Sequence, residues 1–228
     1  MIQTRNLSKS YKNKLALDSV DLDLVSGRIV GLCGPNGSGK TTLIKVIMGL
    51  LRDYTGEIKI GEYHIGPESL ALCSYLPDKT YFEKEMTGQQ AINVFKDMYE
   101  DFDEQKMIQL MRDFEVSPQQ SFKEMSKGMQ EKFQLALVLS RDAQIYLLDE
   151  PIGGVDPASR EKILSTILSN YAQDALLIIS THLIADIESI LDEVIFLKEG
   201  RVLLHENCDV LRDTHSISVD AYFREVFR

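Results

Sequence analysis

The run Gly34-Pro35-Asn36-Gly37-Ser38-Gly39-Lys40-Thr41-Thr42 fits the pattern G-x-x-x-x-G-K-[ST] and constrains this chain more than any other feature. It follows the apolar run Ile29-Val30-Gly31-Leu32-Cys33, read as a strand, and the spacing predicts a helix opening at Thr41. In a strand–loop–helix of this kind, successive backbone N–H groups of a glycine-permitted turn point inward and form an anion cradle. The helix start adds its dipole and its unpaired donors. Lys40 then reaches the β- and γ-phosphates, and the Thr41 hydroxyl faces Mg²⁺. In a chain of average composition a chance match is on the order of a per cent, so a merely flexible glycine loop carries little weight. The chain is expected to bind a nucleoside triphosphate.

Composition sets the bounds around that loop. A length of 228 residues fits one domain, or one domain with an inserted lobe. A net charge of −10 argues against a broad nucleic-acid surface, which needs clustered lysine and arginine. Cys33, Cys73 and Cys208 are widely spaced and match no metal pattern, and Cys33 reads as a small buried hydrophobe. The start Met1-Ile2-Gln3-Thr4-Arg5-Asn6 has no apolar stretch of the signal-peptide kind. The most apolar windows, Phe133 to Leu139 and Ala175 to Ile179, are too short to cross a bilayer. A soluble, cytosolic chain is the expectation.

Patterning divides the chain into three textures. Residues 1–28 read as antiparallel β structure, with Val20, Leu22 and Leu24 alternating against Asp21 and Asp23, and Glu57–Ile60 reads as a further strand. Beyond Tyr75-Leu76-Pro77 the period becomes helical. Thr87 and Gln90 have capping-box spacing before a stripe of Ala91, Ile92, Phe95, Met98 and Tyr99. Met107, Leu110, Met111 and Phe114 repeat the pattern until Ser117-Pro118. From Ile145 onward strands and helices alternate again, ending in two short strands joined at Lys198-Glu199-Gly200-Arg201. The predicted fold is α/β: a P-loop NTPase core with an N-terminal antiparallel β subdomain and an inserted helical lobe. One domain, residues 1–228, carries that lobe at about 79–143.

Ile145–Leu148 is an apolar strand ending in Asp149 and Glu150. An aspartate at a dry strand end holds a fixed carboxylate beside Mg²⁺ in P-loop NTPases. Glu150, one residue further and followed by Pro151 and Gly153-Gly154, suits a general base for water, against the plainer reading of a surface acid. Ile178-Ile179-Ser180-Thr181-His182 is a second strand with a histidine beyond its end. A lone histidine is more often structural. At the carboxyl end of a parallel strand, though, its imidazole is placed to donate to a γ-phosphate.

The glycine loop, Asp149-Glu150, the Val155-Asp156-Pro157 turn and His182 together resemble, in order and spacing, an ABC-type ATPase over nearly the whole chain. Met125-Ser126-Lys127-Gly128-Met129-Gln130 stands where that family carries its LSGGQ signature, and Tyr11 where its aromatic residue stacks on adenine. Two departures stand out. Ser126 and Gly128 are kept while Lys127 and Met129 replace a glycine and the glutamine, and Asp78 stands where the family usually has a glutamine. The resemblance implies ATP and Mg²⁺ as ligands, with Thr41, Asp149 and Asp78 on the metal side and Glu150 and His182 as the catalytic pair. Gly34 through Thr42, Tyr11, Ser126 and Gly128 would contact nucleotide. It implies the ATP-binding subunit of a transporter, resembling small bacterial exporter ATPases, that drives a multi-spanning membrane permease in a separate chain. Two copies, or one copy and a paralogue, would close over ATP at the inner face of the cell membrane, with no nucleic acid involved. Export is favoured over import because the chain stops soon after its final strands. The alternative is a soluble ABC ATPase of cytosolic machinery, such as iron–sulfur cluster assembly.

Overall fold

The computed structural model describes residues 1–12 and 14–228. β1 (Ile2–Tyr11) and β2 (Lys14–Leu24) form an antiparallel pair that buries Ile2, Leu7, Leu17, Val20, Leu22 and Leu24. β3 (Arg28–Cys33) runs into the glycine loop and α1 (Lys40–Ile47) leaves it. β4 (Thr55–Ile60) and β5 (Tyr63–His64) complete an antiparallel sheet of order β2-β1-β4-β5. The short α2 (Pro67–Ala71) leads to β6 (Cys73–Leu76). Then α3 (Gly88–Met98), α4 (Glu104–Phe114) and α5 (Lys127–Leu139) precede β7 (Ile145–Asp149). The chain continues through α6 (Pro157–Asn170), β8 (Leu176–Thr181), α7 (Ile184–Ile187), β9 (Glu193–Lys198) and β10 (Arg201–Asn207). It ends in α8 (Cys208–His215) and α9 (Val219–Val226).

The second sheet has the order β10-β9-β3-β8-β7-β6, parallel except for β10. Its strands are apolar on both faces because both are covered, as a buried parallel sheet requires. Alternation sends Ile145, Leu147, Leu176 and Ile178 into one core with α1 and the antiparallel sheet. Tyr146, Leu148, Leu177 and Ile179 go into the other, with the helices that lie beyond β6. The register pairs Leu76 with Leu148, Asp149 with Ser180, and Cys33 with Thr181. Four strand ends therefore finish at one edge, and the segments leaving them build the functional site. This is an α/β P-loop NTPase core with an antiparallel β subdomain.

Between β6 and β7 the three helices pack on one another through Phe95, Met107, Leu110, Phe114, Phe122 and Phe133. The expected capping box forms: Thr87 Oγ1 accepts from Gln90 N at 3.2 Å, and Gln90 Oε1 accepts from Thr87 N at 2.8 Å. Met98 departs from its expected place in the buried stripe and is 66% exposed. It is the last helical residue; Tyr99 leaves helical geometry and lays its ring on Phe95 and, at 3.7 Å, on the Arg141 guanidinium. Arg141 ties these helices to the sheet. Its buried fork donates to Ala71 O (2.7 Å), to Cys73 O, and to both oxygens of Asp101 (2.9 Å each). The predicted pair of final strands forms, and beyond it stand two helices, α8 and α9, that the sequence pattern did not indicate. The second of them packs Tyr222 and Phe223, with Phe227 just beyond its end, around Phe196 of the sheet. No helix among the described residues is long and apolar enough to cross a membrane.

Candidate functional site

The glycine loop is held tightly from below. A side-chain carbon at Gly34 would collide with Leu197 O and stand 2.6 Å from Ser38 Oγ, so only glycine lets the loop leave β3 at this angle. Gly39 caps α1 at φ +115°, and a side-chain carbon there would lie 2.6 Å from Ala16 O. No side chain caps α1, which leaves the first N–H groups of the helix open to an anion.

Around this cradle lies a groove of about 830 Å³. It is lined by Tyr11, Lys14 and Ala16 from the antiparallel sheet and by Asn36, Gly37, Gly39, Lys40, Thr41 and Thr42 from the loop and α1. Asp78, Asp149, Glu150 and His182 close it from the ends of β6, β7 and β8. Gly34, Pro35 and Ser38 support the loop without lining the groove, and Ser38 is buried. Tyr11 is 45% exposed, with Lys9 Nζ 5.4 Å from its ring centroid.

Ser126 and Gly128 do not line the groove. Both are exposed; Ser126 Oγ caps α5 by accepting from Met129 N at 3.2 Å, and Gly128 has nothing near its α-carbon side. Their neighbours Lys127, Gln130 and Glu131 do line the groove, Lys127 pairing with Glu131 at 3.5 Å beside Gly154.

Glu150 sits at the centre of the charges. Lys40 Nζ lies 3.4 Å from Glu150 Oε1 and donates to Gly34 O at 2.8 Å. His182 Nδ1 lies 3.0 Å from Glu150 Oε2. The Glu150 backbone is at φ +52°, a conformation that costs on the order of 1–3 kcal/mol for a side chain of this size. It is pinned there by Glu150 N donating to Ser180 O and Ser180 Oγ, both at 3.1 Å.

Asp149 is 1% exposed. Its Oδ1 accepts from Ser180 Oγ at 2.5 Å, while Oδ2 has no hydrogen-bond partner. Burial pushes the Asp149 carboxyl above its ordinary range; the Ser180 and Thr41 hydroxyls offset part of this, and the Asp78 and Glu150 charges add to it. A buried carboxylate with one free oxygen, a threonine hydroxyl beside it and an anion cradle facing it fits a hard divalent cation. Such a cation takes one or two carboxylates together with substrate phosphates. No cluster of three or more acidic, histidine or cysteine side chains able to hold a metal occurs among the described residues.

Ser180 is a site residue that sequence reasoning missed. Its signal was present, since Ser180 and Thr181 are the polar positions at the end of an apolar strand, but only the pairing of β7 with β8 shows which carboxylate the hydroxyl serves.

A glycine cradle opening a helix at the centre of a parallel sheet, with acids at the end of a neighbouring strand, defines a P-loop nucleotide hydrolase. Residues 17–153 match the family described as ABC transporter, and the chain belongs to that family as an ATP-binding subunit with ATPase activity. It is 28% identical over 218 residues to the ABC transporter ATP-binding protein YtrB of Bacillus subtilis (strain 168), covering 94% of this chain and 75% of that one. The lantibiotic transport ATP-binding protein SrtF of Streptococcus pyogenes is 25% identical over 211 residues, or 92% of each chain. A solved structure described as the ATP binding subunit of an ABC transporter superposes with a TM-score of 0.88 over 100% of both chains at 27% identity.

Proposed function

We propose that this subunit hydrolyses ATP with Glu150 as the base and drives export through a membrane permease in a separate chain. The observation that carries the reading is the placement of Glu150 between Lys40 and His182 at the mouth of the cradle. With ATP in the cradle, Lys40 exchanges Glu150 and the loop carbonyls for the β- and γ-phosphates, which frees the carboxylate to take a proton from water. His182 orients Glu150 and donates toward the charge that develops on the γ-phosphate. Tyr11 stacks on adenine at the outer end of the groove. Thr41, Asp149 and Asp78 hold Mg²⁺, which supplies charge neutralisation at the phosphates.

The exposed Ser126 and Gly128 find their use in a second copy or a paralogue that closes over the nucleotide. The helices from residue 79 to about 143 form a lobe that faces the permease, so the subunit works in the cytoplasm at the inner face of the membrane. A transport role is supported by the likeness to a lantibiotic transport ATP-binding protein, and export is the direction proposed. The reading is tested by Glu150→Gln. ATP binding should persist, hydrolysis should fall by about 10²–10⁴-fold, and an ATP-bound dimer should accumulate on gel filtration. Turnover within a few-fold of wild type would remove Glu150 from the base role.

A further inference from the structure

The turn Lys198-Glu199-Gly200-Arg201 joins β9 to β10, and Gly200 at its tip is buried, although hairpin tips ordinarily face solvent. Lys198 pairs with Arg201, which leaves Glu199 and Gly200 as the loop, at φ +50° and φ +81°. Left-handed backbone at both positions is what a tight hairpin turn matched to strand twist requires.

Hydrogen bonds fasten this turn on both sides. Toward β2, Gly200 O accepts from Asp18 N at 2.9 Å, and Arg201 Nε donates to Asp18 Oδ2 at 2.6 Å. Toward the glycine loop, Gly200 N donates to Ser38 O at 2.8 Å. A side-chain carbon on Gly200 would stand 2.7 Å from Ala16 O, the same carbonyl that a side-chain carbon on Gly39 would meet. The turn, β2 and the glycine loop therefore touch backbone to backbone.

Ser38 O belongs to the peptide unit whose other end is the Gly39 N–H. In a planar trans peptide the C=O and N–H point in opposite directions. Ser38 is buried while Gly39 lines the groove, so a donor fixed on the carbonyl from behind leaves the Gly39 N–H facing the groove. The same bond polarises the peptide and strengthens its N–H as a donor.

We infer that Gly200 is a positioning residue for phosphate binding. Its N–H holds the Ser38–Gly39 peptide so that the Gly39 N–H meets a phosphate oxygen of the nucleotide without reorienting. This rests on the reading of the glycine loop as the phosphate cradle. A hydrogen bond to a charged group is worth roughly tenfold or more in affinity.

The test deletes the donor and adds no side chain. In the full chain, glycolic acid is incorporated at position 200, so that an ester oxygen replaces the Gly200 N–H. ATP and ADP affinities are read by calorimetry well below the melting transition, beside the Tm of the free chain. The ester should raise both dissociation constants by about tenfold. Gly200→Ala should show the same loss with a lower Tm, because the added carbon meets Ala16 O. Arg201→Met cuts the side-chain tie to β2 and keeps the Gly200 N–H, so its affinities should stay near wild type. Ester affinities equal to wild type overturn the inference, even with a lower Tm. So does an equal loss in Arg201→Met, which would assign the effect to the seat of β2. Lys40→Ala separates the two levels. If it keeps wild-type affinity, the cradle reading fails and this inference with it; if it loses affinity while the ester does not, the inference alone fails.

Discussion

Asp149 shows how one residue sets stability against binding. Burial holds its carboxyl above the usual aspartate range. A group whose native pKa exceeds its unfolded value binds a proton more tightly when folded. Its contribution to stability is therefore full below the unfolded value and is lost as pH rises through the native one. Once ionised above that raised value, the carboxylate, with Oδ2 unpartnered, weakens the free chain. Asp149→Asn should hold or raise the Tm of the free chain, by up to a few degrees, and the gain should be larger near about pH 8 than near about pH 4. The same variant should bind ATP without Mg²⁺ dependence. Calorimetry at the two pH values reads the first effect, and a marked loss of Tm at the higher pH would mean that the charge is structural.

Among the elements, the joint between the helices and the sheet has an identifiable pin. The Arg141 fork satisfies two carbonyls at the edge of β6 and the Asp101 carboxylate, and its face covers the Tyr99 ring. Arg141→Ala strands all of these acceptors, the Cys73 carbonyl in a buried setting, and should cost about 3 kcal/mol in urea unfolding, near the lower bound for broken buried pairs because Asp101 is partly exposed. Arg141→Lys should recover only part of this, since a single ammonium cannot reach acceptors on two sides as a planar fork does. A cost below about 1 kcal/mol for the alanine variant would place the joint elsewhere, in the aromatic packing of Phe82, Phe95 and Phe122. α5 has a smaller fastener of the same kind. Ser126 is its N-cap, so any variant at that position must keep the cap if its effect on nucleotide is to be read cleanly.

For the whole molecule, the position of Ser126 outside the groove that Lys40 lines sets the next test. The serine caps α5 and is exposed, and in the proposed closure a second molecule would bring it to nucleotide. Ser126→Asp keeps a capping oxygen but sets a negative charge beside the expected phosphate. It should leave the Tm and the ATP affinity of the single chain intact while preventing dimer closure and hydrolysis. Lys40→Ala should fail differently, by losing the cation of the cradle. Mixing the two inactive variants should restore activity, because one composite site then joins an intact cradle to an intact Ser126. Mixed activity no greater than that of the variants measured separately would show that the two residues do not share a site.

What the sequence determined by itself is what consecutive residues can encode. The glycine cradle, the opening of α1 and the two acids at the end of β7 depend on φ values, missing side chains and strand ends within a few positions, so they were legible in order. The antiparallel sheet and the capping box of α3 were legible for the same reason. Tertiary structure decided what depends on pairing across the chain. The register of β7 with β8 gave Asp149 its Ser180 donor, and the order of strands in the sheet placed Glu150 between Lys40 and His182. Burial of Arg141, exposure of Met98 and the packing of α9 on Phe196 depend on which surfaces meet, and local spacing carries no record of that. The side of the sheet that Tyr75 takes belongs with these. In the sequence Tyr75 is one aromatic residue in a short strand, and only the parallel register with β7 puts it on the Asp149 side of the sheet.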